Sequence, residues 1–203
     1  MKIISHRGKY SKSSAENDIS TIIKADKLAP SMIEIDVQQN NTGKVVILHN
    51  SIEKYSNKQQ SELPLLEDLL KNQLQSKLLI EIKQPHIASN VLKLVKAQTN
   101  VAFTSFSLQD AVYIKKNSKH ESFIMQRIHP FGLFRKCLDS GLDGIGVNKN
   151  WLILMPFIYF KCKSNNKLLI IYTINNSHLA KITKKLFKDI YICTDETKKF
   201  VNY

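Results

Sequence analysis

Several things are scarce in this chain. Its 203 residues include only three cysteines, Cys137, Cys162 and Cys193, far apart and with no CxxC pair. An odd, scattered set excludes a disulfide framework and fits a reducing compartment. Long apolar runs are missing. The longest, Trp151 to Phe160, covers ten residues and contains Pro156, whereas a membrane-spanning helix needs roughly 20. The opening Met1-Lys2-Ile3-Ile4-Ser5-His6 lacks the basic segment, apolar core and small-residue cleavage site of a signal peptide. The expectation is a soluble, cytoplasmic protein, although the Trp151–Phe160 run could lie against a membrane surface. Acidic residues are also short: 17 Asp and Glu against 30 Lys and Arg give a net charge of +13. Such a charge attracts anionic lipid, nucleic acid or phosphorylated substrates. No lysine block and no DNA- or RNA-binding motif stands out, so nucleic acid is not expected as a partner. A composition rich in Lys, Asn and Ile together accounts for much of the excess. Contact with an anionic membrane stays open, and nothing in the sequence fixes the oligomeric state.

What is present is a regular alternation of strand and helix. Apolar, β-branched runs mark strands at 2–7, 32–38, 78–83, 101–105, 121–127, 144–148, 168–174 and 190–194. Helical patterns follow at 17–29, 64–73, 86–98, 107–117, 131–140, 151–163, 177–187 and 196–202, with an extra extended piece at 44–49 after the turn Asn40-Asn41-Thr42-Gly43. Proline and acids open the helix at Leu63-Pro64-Leu65-Leu66-Glu67-Asp68, Ser107 caps the next-but-one, and Gly141 closes the one before strand 144–148. Eight strand–helix units predict an α/β fold, a (β/α)8 TIM barrel, with residues 1–203 as a single domain. A doubly wound open sheet is the alternative; no GxGxxG turn follows a strand to support it.

Charge is placed where a buried strand should not carry it. Ile33-Glu34-Ile35-Asp36-Val37 and Leu79-Ile80-Glu81-Ile82-Lys83 hold ionisable residues inside apolar runs, and desolvating an unpaired charge costs several kcal/mol or more (about that scale in proteins). Residues two apart face the same side of a strand, so Glu34 and Asp36 point together, as do Glu81 and Lys83. In a barrel, Glu34, Asp36 and Glu81 can converge at the C-terminal mouth. Three carboxylates together repel, and a hard divalent ion relieves this; all-oxygen ligation favours Mg²⁺ or Ca²⁺. The structural alternative is a buried ion network in which Arg7 and Lys83 neutralise the acids. His6 and His49 end apolar runs and could serve as general acid and base. Arg7 suits phosphate oxygens by its planar fork and Lys83 as a point charge. The Gly8 backbone could approach a phosphate closely. His86, His120, His129 and His178 read as structural or solvated. Gln126, Asn148 and Tyr172 lie near other strand ends and are candidates for lining the pocket.

These motifs resemble those of the glycerophosphodiester phosphodiesterase family, whose members carry HRG, EN, ExD, HD and ExK in this order. Here they are His6-Arg7-Gly8, Glu16-Asn17, Glu34-Ile35-Asp36, His49-Asn50 and Glu81-Ile82-Lys83. Weaker likenesses follow at Leu63–Leu70, Ser105-Phe106, Tyr172-Thr173-Ile174-Asn175 and Ile192-Cys193-Thr194-Asp195. The resemblance implies a (β/α)8 barrel that hydrolyses small-molecule glycerophosphodiesters to glycerol 3-phosphate and an alcohol with a divalent cation. It implies Glu34, Asp36 and Glu81 as metal ligands, His6 and His49 as the acid–base pair, and Arg7 and Lys83 as phosphate contacts. Glu16 and Asn17 would brace the loop after strand one, and Tyr172 would replace a tryptophan at the substrate mouth. The chain departs from the family pattern at Asn50, where Asp is usual, and at Ala15, where proline commonly precedes EN. A cyclising or lysophospholipase D-type activity on the same barrel, or an inactive phosphate- or lipid-binding barrel, are the other readings.

Overall fold

A computed structural model describes residues 2–126, 130 and 132–201. Among the described residues, nine strands form one sheet: β1 (Lys2–Ser5), β2 (Met32–Gln39), β3 (Val45–Ile47), β4 (Lys77–Ile82), β5 (Val101–Ser105), β6 (Glu121–Met125), β7 (Gly144–Asn148), β8 (Leu168–Tyr172) and β9 (Tyr191–Thr194). Eight of them are parallel, and the ring closes because β1 pairs with both β2 and β9. The molecule is the expected (β/α)8 barrel. The ninth strand, β3, folds back antiparallel on β2, with Val37 opposite Ile47 and Gln39 opposite Val45. The Asn40 side-chain oxygen takes the N–H groups of Thr42 and Lys44 and shapes the turn between them.

The helices are α1 (Ile19–Asp26), α2 (Asn57–Ser61), α3 (Leu66–Leu70), α4 (Ala88–Leu94), α5 (Leu108–Asn117), α6 (Leu133–Asp139), α7 (Met155–Ser164), α8 (Ser177–Leu186) and α9 (Thr197–Phe200). Side-chain caps start several of them. Asp18 accepts from Thr21 N–H, Ser107 from Asp110 N–H and Asn176 from Leu179 N–H, each filling a donor the first turn would leave open.

Strand periodicity sorts the side chains into two cores. Ile33, Ile35, Val37, Ile80, Ile82 and Phe103 face outward and pack under the helices. Ile4, Met32, Leu79, Ala102, Phe123, Ile170, Tyr191 and Cys193 fill the barrel interior. Both faces are therefore buried, which is why these strands read as continuous apolar runs rather than alternating ones. The three cysteines are free and buried, and burial pushes the Cys137 thiol up to about 11 and Cys162 to about 12. Among the described residues, no helix is long and apolar enough to cross a membrane.

The structure revises several boundaries. β1 stops at Ser5, and His6–Gly8 form a 3-10 turn in which Arg7 has φ 52°. β6 and β8 end at Met125 and Tyr172, short of 127 and 174. The expected helix at 151–163 starts at Met155 after a 3-10 turn, Lys149–Leu154. α2 was not expected: Asn57-Lys58-Gln59-Gln60-Ser61 has no apolar period, and a capping box between Ser56 and Gln59 sets it instead. His129 lies outside the described residues.

The turn after β1 depends on Gly8. Its φ is +66°, and a Cβ there would meet Ile22 Cγ1 of α1. Close packing on α1 and the positive φ both require a glycine here. Gly8→Ala should lower unfolding free energy by about 1–3 kcal/mol through the backbone conformation alone, with the clash adding to it. Denaturant unfolding would measure the loss.

Candidate active site

The C-terminal ends of β2 and β4 lie side by side, with Asp36 in register with Glu81. Glu34 and Asp36 project into the barrel because they share parity with Met32, an interior residue. Oxygens from Glu34, Asp36 and Glu81 all lie within 4.8 Å of one another, and the residues are only 4%, 2% and 8% exposed. Burial, then repulsion from Asp36 and Glu81, pushes the Glu34 carboxyl well above its ordinary value. Burial, then Asp36, likewise raises Glu81, although Lys83 counters.

Two cations answer these acids. Lys83 Nζ lies 2.9 Å from Glu81 Oε1 and 3.7 Å from Asp36 Oδ1. Burial works against its charge, but Glu81 and Asp36 outweigh it and hold the ammonium above its usual range. Arg7 reaches Asp36 at 3.4 Å and Glu16 at 2.9 Å. The positive φ of Arg7 turns its backbone N–H onto Glu34 Oε2 at 2.7 Å. Asn17 grips Asp36 twice, donating from Nδ2 to the carboxylate at 2.9 Å and accepting the Asp36 N–H at 3.1 Å. Its own N–H donates to Arg7 O. The Glu16-Asn17 pair therefore ties the turn after β1 to the acids.

The donor set suits a divalent cation. Three carboxylates against Arg7 and Lys83 leave one excess negative charge when all are ionised. Burial and the neighbouring acids favour the neutral form of Glu34, which lessens that excess. The buried Glu34 Oε1 has no hydrogen-bond partner, as a ligand oxygen requires. A 2+ ion among the ionised carboxylates would turn the cluster to a net +1. The donors are all hard oxygens, so Glu34, Asp36 and Glu81 could hold such an ion.

The two histidines stand at this mouth with separate supports. His6 is one residue beyond β1, and its Nδ1 lies 2.8 Å from Asp195 Oδ1, past the end of β9. Asn175 Nδ2 donates to Asp195 Oδ2 at 2.6 Å, while Asn175 Oδ1 accepts Asp195 N–H and the Thr194 hydroxyl. Burial works to raise the Asp195 carboxyl. Hydrogen bonds from His6 and Asn175, aided by positive charge on His6 and Lys9, prevail and pull it down to about 2. An ionised carboxylate only accepts, so Nδ1 of His6 carries the hydrogen and Nε2 faces away from Asp195. His49 follows β3 by two residues. Its loop hangs on Gln38, whose Nε2 donates to Leu48 O and Asn50 O and whose Oε1 accepts Ile52 N–H. Burial lowers the His49 pKa; Asp36 opposes this, while Arg7 and Lys83 reinforce it. The contact from His49 Nδ1 to Asn50 Oδ1 is long, at 3.4 Å.

The remaining candidates have local roles. The Tyr172 hydroxyl donates to Gln126 O, and its ring meets Phe106 edge-on at 6.3 Å, with Lys83 Nζ 5.6 Å from the Phe106 ring centre. Gln126 is buried in the wall, and its Oε1 accepts Asn148 N–H. Asn148 caps the 3-10 turn through Asn150 N–H. Gln126 thus supports the wall through its oxygen, while its buried Nε2 has no hydrogen-bond partner, and Asn148 is half-buried. His120 packs against Phe103, the His86 N–H donates to Asp110, and His178 is exposed on α8.

No protein-family model matches the chain, and no curated protein matches it. Solved structures do. A glycerophosphodiester phosphodiesterase from Thermotoga maritima superposes with TM-score 0.84 at 20% identity, over 98% of this chain and 96% of that one. Another from Parabacteroides distasonis gives 0.83 at 21% identity, over 99% and 96%. The chain has the fold of these phosphodiesterases. An Oleispira antarctica phosphodiesterase solved with its product sn-glycerol-3-phosphate gives 0.83 at 16% identity, over 100% and 96%. The similarity to the phosphodiesterase fold spans both chains nearly end to end, so the barrel carries no large insertion or deletion relative to them.

Sequence reading missed Asp195, Asn175 and Gln38 as site residues. Asp195 follows the β-branched run Ile192-Cys193-Thr194, the same strand-end signal that marked Asp36. Asp195 gains stability from ionisation. Its depressed folded pKa adds stability that is present above the ordinary carboxylate range near 3.9 and is lost as pH falls toward about 2. Asp195→Asn should therefore be less stable than the parent at neutral pH, with the gap closing as pH falls from about 4 to about 2. Paired thermal melts across pH would measure it.

Proposed function

We propose that this protein is a metal-dependent phosphodiesterase that hydrolyses glycerophosphodiesters to glycerol 3-phosphate and an alcohol. The observation that carries the reading is the buried trio Glu34, Asp36 and Glu81 at a barrel mouth flanked by His6 and His49. The shared fold supports it, as does the product bound to the Oleispira enzyme.

Glu34, Asp36 and Glu81 would hold Mg²⁺ or Ca²⁺, which supplies Lewis-acid polarisation of a phosphoryl oxygen. Arg7 and Lys83 already sit beside the carboxylates and would turn toward the substrate phosphate as the acids find another partner. His49, whose pKa is lowered, suits the base that takes a proton from the attacking oxygen. His6, fixed by Asp195, would return a proton from Nε2 to the leaving alkoxide. The attacking oxygen is either water, which gives glycerol 3-phosphate directly, or the substrate's own glycerol hydroxyl, which expels the alcohol to leave a cyclic phosphate that water must then open; both use the same two histidines. Tyr172 and Phe106 would wall the side where the alcohol leaves. The intact set of His6, His49, Glu34, Asp36 and Glu81 argues against an inactive barrel. We place the reaction in the cytoplasm, in keeping with three unpaired thiols.

Turnover of a headgroup panel, followed by phosphorus NMR, tests the reading. Hydrolysis yields glycerol 3-phosphate; a cyclic phosphate would instead identify the cyclising activity. Chelation should abolish turnover, and Mg²⁺ or Ca²⁺ should restore it. Full activity after exhaustive metal removal would overturn the metal assignment. His6→Ala and His49→Ala should each lower kcat by about a hundred- to ten-thousandfold, the scale for losing a positioned acid or base. Both chains should still fold, since neither ring belongs to either core. Near-normal kcat in either variant would remove that histidine from the mechanism.

A further inference from the structure

Helix α7 breaks the rule for a helix on the outside of a barrel. Such a helix buries one stripe and turns a polar face to water. α7 buries Met155, Ile158, Tyr159 and Cys162 against the barrel, yet its outer stripe is apolar as well. Ile153, in the 3-10 turn before it, is 88% exposed, Phe157 is 58% and Phe160 is 65%. Spacings of four and three residues line them up along one side. α8 lies next to it, joined through the Tyr159 and Phe187 rings at 5.1 Å, and leaves Ile182 and Leu186 exposed.

The segment that carries this stripe is basic. Between Asp143 and Asp189 the sequence contains eight lysines and no Asp or Glu. Lys161 Nζ sits 4.4 Å from the Phe157 ring centre, and Lys163 Nζ sits 5.7 Å from that of Tyr159. Ammonium groups therefore border the apolar side chains directly. Lys149, also exposed, stands at the start of the turn. Because this segment follows β7, Ile153 and Lys149 lie at the same end of the barrel as Glu34, Asp36 and Glu81.

We propose that the outer face of residues 149–164 docks the protein on an anionic lipid bilayer. The bilayer matches both features: acyl chains receive Ile153, Phe157 and Phe160, and headgroup phosphates receive the lysines. A second copy of this chain fits poorly, since a two-fold contact on this stripe would set Lys161 and Lys163 against their own equivalents.

Vesicle sedimentation tests the proposal without reading turnover, so its failure leaves the phosphodiesterase reading untouched. The probes are vesicles of phosphatidylcholine alone and of phosphatidylcholine with phosphatidylglycerol at three to one. The parent should sediment with the anionic vesicles, weakly with the neutral ones, and less as salt rises. A triple variant, Ile153→Asn, Phe157→Ser and Phe160→Ser, should partition about tenfold more weakly or worse. Lys161→Glu with Lys163→Glu should lose a similar factor through charge alone. All five side chains are exposed, so melting temperatures should stay close to the parent's and separate lost docking from lost folding. No binding to anionic vesicles, equal binding to both kinds, or undiminished binding by the triple variant would each overturn the proposal. So would dimers in light scattering that the triple variant abolishes, which would make the stripe a self-association surface.

Discussion

Mutual repulsion among Glu34, Asp36 and Glu81 is the constraint around which the upper half of the barrel is arranged. Strand parity on β2 and β4 forces the three carboxylates into one buried space. Everything packed around them reduces the cost. Arg7 contributes both its guanidinium and its backbone N–H, Asn17 contributes two hydrogen bonds, and Lys83 bridges two of the acids. Removing one partner of a buried pair typically costs about 3–5 kcal/mol, so these neighbours are as constrained as the acids themselves. Arg7 and Lys83 thus combine the two roles that the sequence left as alternatives. They are counter-ions in the structure as it stands and phosphate contacts in the proposed reaction.

The two histidines are held in different ways. His6 is oriented by a chain of three groups, His6–Asp195–Asn175, closed through two hydrogen bonds to the Asn175 oxygen. His49 is carried on a loop pinned by one buried glutamine, Gln38, which shares a strand face with Glu34 and Asp36. Asn50, where family members carry Asp, makes only a long contact with His49, and burial lowers the ring's pKa. The substitution therefore separates the two rings chemically: one rests on a carboxylate and the other does not. That asymmetry is the physical basis for assigning them opposite proton-transfer roles.

Much of this was legible in the sequence, because charge inside an apolar run is a strong signal. Glu34, Asp36, Glu81, His6 and His49 announced themselves that way, and the eight-unit rhythm predicted the barrel. What escaped has physical reasons. Asp195 and Asn175 stood only in weakly family-like segments, and their part in the site shows only in the bonds they make to His6 and to each other. Gln38 is neutral and sits at the end of a strand already marked by two acids, so nothing set it apart. The 3-10 turn at His6–Gly8 directly follows the apolar run of β1, and the positive φ of Arg7 and the packing of Gly8 on Ile22 define it. The apolar run at 151–160 was visible, but its length could not show that half of it faces outward.

The pairing of β1 with β9 has a consequence for when activity can exist. The bond between His6 and Asp195 joins groups 189 positions apart in the chain, and it forms only where the first and last strands meet. Contacts of such separation carry a large loop-closure cost and are slow to form. A chain with seven strands in place already has its acids assembled on β2 and β4, yet its first histidine has no carboxylate to fix the ring. In the proposed reaction, then, the acid–base pair would be complete only after ring closure, and an incomplete barrel, whether newly synthesised or clipped, would gather the charges without the carboxylate that fixes His6.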